Sequence, residues 1–69
     1  MKERKTIFSS GINLNKHLEE VENAKEILIN LGYEILEKVL KESSVVKPTL
    51  YSIGTYTSYL YYRKIDKKD

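Results

Sequence analysis

The chain has no cysteine and no tryptophan, and only one proline, one histidine and one phenylalanine among its 69 residues. Without cysteine there is no disulfide staple, thiol nucleophile, thiolate metal site or redox switch, and the composition suits a cytoplasmic protein. The only aspartates, Asp66 and Asp69, lie in a charged C-terminal stretch. A Ser-His-Asp arrangement therefore lacks an ordered acid unless a glutamate replaces it. No phosphate-binding glycine motif is present. No apolar run approaches the roughly 18 residues needed to span a bilayer. The basic start, Met1 to Lys5, leads into no signal-peptide-like apolar segment. These absences point away from an enzyme, a resident cofactor, a metal centre and a membrane partner.

A chain this short makes one domain, read here as residues 1–69 with charged, frayed ends at 1–5 and 65–69. Its core supplies only about 3–5 kcal/mol, and domains of this size usually add a staple. With disulfides excluded, self-association into a homodimer or higher oligomer is the expected one. The net charge of +2 does not force a nucleic-acid reading. Ten lysines to two arginines, with many Ile and Asn, suit an AT-rich bacterial or phage genome.

What the chain does have is organised in three stretches. Thr6 to Ser9 is β-prone and is broken by Ser10-Gly11. From Leu14 to Leu31 the residues Leu14, Leu18, Val21, Ala24, Leu28 and Leu31 recur at helical spacing, with Asn13 or Asn15 available as N-cap. Asn30-Leu31-Gly32-Tyr33 is a stop signal, because glycine takes the left-handed conformation that ends helices. Beyond it, Ile35, Leu36, Val39 and Leu40 form a stripe that favours helix. The competing expectation is a strand over Tyr33 to Val39 returning beside residues 6–9 as a βαβ unit. Pro48 then ends any helix.

Five of the six tyrosines fall between Tyr51 and Tyr62, among Ser, Thr and Gly. This segment reads as a β-hairpin with Gly54-Thr55 as its two-residue turn. Period two would then place Tyr51, Ile53, Tyr56, Ser58, Leu60 and Tyr62 on a core face. Tyr59, Tyr61 and Arg63 fall on the other. The expected fold class is α+β: a short N-terminal strand, one long amphipathic helix (or two, broken at Gly32) and a C-terminal Tyr-rich hairpin.

Candidate sites follow from this reading. Tyr and Arg are enriched at binding hot spots, so Tyr59, Tyr61, Arg63 and Lys64 form the candidate partner- or ligand-binding set. Ser9, Ser10 and Gly11, between a strand and a helix, form a weaker anion-binding candidate. His17 sits one turn from Glu20 but lacks the companion motifs of a carboxylate-bridged metal site, and reads as a surface histidine. Ala24 to Tyr33 with Lys47 to Tyr51 is similar to pieces of TetR-type DNA-binding domains, but the spacing departs from their helix-turn-helix. Tyr51 to Gly54 with Tyr61 to Asp66 is similar to fragments of MerR-type modules, without the helix between them. Neither family is assigned. The leading expectation is a small non-enzymatic binding or inhibitory protein that engages a partner protein through tyrosines. The alternative is a DNA- or nucleotide-binding regulator, winged-helix-like or stacking bases on tyrosine beside a basic C-terminus.

Overall fold

The computed structural model describes residues 2–65. Strand β1 (Glu3–Asn13) leads into helix α1 (Leu14–Asn30), followed by strands β2 (Tyr33–Ser43) and β3 (Ile53–Lys64). The three strands form one antiparallel sheet in the order β1-β3-β2, so β3 is inserted between the two strands that the helix connects. The helix covers one face of the sheet. The α+β class and its one helix stand as expected.

Local chemistry sets the boundaries. Asn13 is extended, and its side chain accepts from the Lys16 amide at 2.7 Å, which starts α1. The Leu14 and Asn15 amides are taken by the carbonyls of Ser52 and Leu50, at 3.2 and 2.9 Å. At the other end Leu31 bonds back to Ile27, and Gly32 at φ +97° turns the chain out into β2. Gly11, at φ +74°, forms a bulge between Ser10 and Ile12 in a conformation that L side chains rarely adopt.

Residues 33–42 are strand, correcting the helical preference read from composition. Two bulges explain the misleading pattern. The register skips between Ile35 and Glu37 and again between Leu40 and Glu42. Positions on the helix side of the sheet therefore fall at Tyr33, Ile35, Lys38, Leu40 and Ser43, spaced alternately by two and three. That mixture imitates the helical stripe Ile35, Leu36, Val39, Leu40. The βαβ alternative was right about the strand but not its neighbour, since β2 pairs with β3 rather than β1.

The tyrosine-rich segment is the second arm of a hairpin, but its turn is not at Gly54-Thr55. Both residues lie inside β3, and the connection runs through residues 44–52. Gly54 instead permits close approach: a Cβ there would lie 2.6 Å from Val45 Cγ2. Tyr51 and Ile53, expected in the core, are exposed, whereas Tyr56, Ser58 and Leu60 are buried and Tyr62 half-buried as the alternation required. Within the ends expected to fray, Glu3 to Lys5 pair with Tyr62 to Leu60. Of that expectation, Met1 and residues 66–69 lie outside the described residues. Among those described there is one helix, so no winged helix forms.

The core is small. Ile7, Val21, Ala24, Leu28 and Leu60 make its centre, with Tyr33, Ile35 and Tyr62 packed against them. Tyr33 and Tyr62 meet edge to face at 5.1 Å between centroids, a favourable aromatic geometry.

Candidate binding face on the open side of the sheet

Alternation along β3 separates two sets of side chains. Tyr56, Ser58, Leu60 and Tyr62 face the helix; Thr55, Thr57, Tyr59, Tyr61 and Arg63 face away. The pairing registers extend the outer face into rows. Arg4, Tyr61 and Glu37 make one, Thr6, Tyr59 and Val39 the next, and Phe8, Thr57 and Glu42 the third. No helix covers them. Phe8, 64% exposed, adds apolar surface to this face.

Geometry ties the aromatic and charged groups of this face together. The Tyr59 and Tyr61 rings meet edge to face at 6.3 Å. The Arg4 guanidinium lies 4.4 Å from the centre of the Tyr59 ring, and Lys2 Nζ lies 5.2 Å from that of Tyr61. Both are attracted by the negative ring face. Arg63 Nε donates to Glu34 Oε1 at 2.7 Å. The face thus carries Arg4 and Lys2 at one corner, tyrosines along β3, and Glu34, Glu37 and Glu42 along β2.

Three of the four expected binding residues, Tyr59, Tyr61 and Arg63, come together here. Lys64 does not, because it lies on the opposite parity and pairs with Tyr33. Sequence reasoning missed Phe8, Arg4 and Lys2. The alternation Arg4-Thr6-Phe8 was the available signal, hidden by reading residues 1–5 as frayed. The β2 carboxylates were hidden by the two bulges.

The anion-binding reading at Ser9, Ser10 and Gly11 finds no open cradle. The first three amides of α1 are taken by Ser52, Leu50 and Asn13. Ser9 is buried and donates to Glu20 Oε1 at 3.0 Å, which sets a carboxylate where an anion would sit. Ser10 meets Thr55 through their hydroxyls at 3.3 Å.

His17 is not on the surface. It is fully buried between helix and sheet, 5.5 Å from the Tyr56 ring. Its Nδ1 lies 3.0 Å from Ser9 Oγ and its Nε2 2.7 Å from Ser58 Oγ. Because the Ser9 hydroxyl is given to Glu20, Ser9 accepts from Nδ1–H. Neutral His17 then accepts from Ser58 at Nε2. The chain of donors runs Ser58, His17, Ser9, Glu20. It resembles a nucleophile-activating relay, but Ser58 is 2% exposed and faces the interior, so no substrate reaches it. Among the described residues no cluster of three His, Cys, Asp or Glu side chains could hold a metal ion.

Burial pushes the His17 pKa below its ordinary value, with the Glu20 charge acting in the opposite direction. A folded value below the unfolded one means that the unfolded chain binds the proton more readily. The stability gained by keeping His17 neutral is full above about pH 6.5 and is lost as pH falls below it, at no more than about 1.4 kcal/mol per pH unit for one proton. Urea unfolding at pH 7.5 and pH 5 should therefore show a lower midpoint in acid, and His17→Gln should flatten that difference. A wild-type midpoint that rises in acid would contradict the assignment.

Comparison with protein-family models, with curated proteins and with solved structures finds no match to this chain. No helix of the described residues is long and apolar enough to cross a membrane.

Proposed function

We propose that this chain is a small non-enzymatic binding protein whose working surface is the open face of the sheet, and that this face engages protein. One observation carries the reading. The half-buried Tyr59 and Tyr61 rings lie on β3 with no element over them, the exposed Phe8 stands beside them on β1, and Lys2 and Arg4 flank them on one side with Glu34, Glu37 and Glu42 on the other. Aromatic and Arg anchors surrounded by a charged rim are the anatomy of protein interfaces. Tyr also offers large area at low side-chain entropy cost.

The nucleic-acid reading draws on the same rings, with Arg4 and Lys2 beside them. The β2 edge weighs against it. Glu34, Glu37 and Glu42 lie on the same face and repel phosphate, and Arg63 is already paired with Glu34. A mixed-charge protein surface meets both edges without that penalty.

Site-specific photo-cross-linking in the native host tests this reading. A photoreactive phenylalanine analogue replacing Tyr61 should form protein adducts. The same group replacing Glu26, on the exposed side of α1, should not. Equal yields from both positions, or nucleic-acid adducts alone from position 61, would show the reading wrong.

A further inference from the structure

We infer that the partner seated on the open sheet face is a second copy of this chain, the two sheets packing face to face about a two-fold axis parallel to β3. The inference rests on the reading of that face as a protein-binding surface, and names its occupant.

The row Arg4, Tyr61, Glu37, with opposite charges at its two ends, selects both the partner and the axis. Rotation about an axis along β3 exchanges the two outer strands, so β1 of one copy lies over β2 of the other. The row Arg4, Tyr61, Glu37 then meets Glu37, Tyr61, Arg4 of the second copy, with each cation facing a carboxylate. In the next row Tyr59 meets Tyr59 near the axis, with Thr6 and Val39 on either side. In the third, Phe8 lies over the aliphatic stem of Glu42. An in-plane axis perpendicular to the strands instead places β2 over β2. It opposes Glu37 to Glu42 with no cation between them, and unpaired like charges across an interface are penalised; the axis along β3 also brings Arg63 near Arg63, but there each guanidinium is already paired with Glu34. Edge-to-edge pairing is blunted, because the β1 edge is bulged at Gly11 and the β2 edge is bulged twice.

The size of the face fits a weak, specific dimer. Nine residues of β3 at about 3.3 Å, by three strands at about 4.8 Å, project roughly 400 Å² per copy. The pair thus buries about 800 Å² before side-chain relief is counted, and somewhat above it in full, at the low end of specific interfaces. A sheet stacked this way closes a second layer at about 10 Å and supplies apolar burial that one small core lacks.

Charge reversal tests the arrangement. Sedimentation equilibrium of the wild type should show a monomer–dimer equilibrium with a dissociation constant on the order of micromolar to tens of micromolar. Arg4→Glu and Glu37→Arg should each weaken it by about tenfold or more. An equimolar mixture of the two variants should recover association, because their heterodimer has opposite charges at both contacts. Circular dichroism of each variant checks that the fold is kept; the paired design keeps the test valid if one variant alone is unstable, since the double variant Arg4→Glu/Glu37→Arg should also recover association. A wild type that stays monomeric at millimolar concentration overturns the inference, as does a mixture that associates no better than its components. If the wild type is monomeric while position 61 still forms adducts with other proteins, the second-copy assignment fails and the binding face stands. If no protein adduct forms, both fail.

Discussion

His17→Ala should leave much of the chain unfolded at room temperature. The imidazole is fully buried, bonded on one side to Ser58 and on the other to Ser9. Its removal orphans the Ser58 hydroxyl, which has no other side-chain partner and is 2% exposed. An unsatisfied buried group costs about 1–3 kcal/mol. The cavity left by the ring adds a further cost of similar size, as in large-to-small core substitutions. A loss of about 3–4 kcal/mol approaches the whole stability of so small a domain. Replacing both partners with apolar groups, as in His17→Leu/Ser58→Ala, removes the orphan and should be less damaging than His17→Leu alone. Glu20→Gln should be mild, because an amide oxygen still accepts from Ser9. Urea unfolding of the four variants checks the order; a His17→Ala protein as stable as wild type would remove the network from the account of the fold.

The position of His17 was legible in part. The buried helix residues are His17, Val21, Ala24 and Leu28, spaced by four, three and four. Counting back from Val21 by one turn reaches His17, so the stripe contains it, although a lone polar residue among leucines suits a surface as well. Leu14, Leu18 and Leu31 were placed in the stripe by residue type, but the first two are only half-buried and Leu31 is 67% exposed. The helix itself, its Asn13 cap and its Gly32 stop were readable because they depend on neighbouring residues alone. The nature of β2 was not. Its strand state depends on pairing with β3, and its two bulges replaced the alternation that a sequence reader looks for.

The candidate site divides along the same line. Within β3 no bulge interrupts the alternation, so the assignment of Tyr59, Tyr61 and Arg63 to the face opposite Tyr56, Leu60 and Tyr62 followed from period two even though the turn was misplaced. The flanking stripes, Lys2 and Arg4 on one side and Glu37 and Glu42 on the other, come from strands far apart in sequence. Only the β1-β3-β2 order brings them onto one surface. Without them the tyrosines suited a base as well as a protein. With them, the charge pattern favours a protein, and its two-fold complementarity favours a second copy.

The second large effect expected is the separation of folding from association by Tyr59→Ser/Tyr61→Ser. Both rings lie on the outer face and make no part of the core cluster beneath the helix. Their loss removes cross-strand contacts, which contribute roughly 0.2–1 kcal/mol each, and leaves the helix-facing side untouched. The same change deletes the aromatic centre of the proposed interface, where truncation is most costly to binding. Sedimentation velocity over a dilution series reports compactness and association together. The wild type's sedimentation coefficient should rise with concentration, and the double variant should sediment as a compact monomer throughout. A double variant that sediments as an expanded chain would place these tyrosines in the folding core, and one that associates as the wild type does would contradict the claim that this face is where the protein binds.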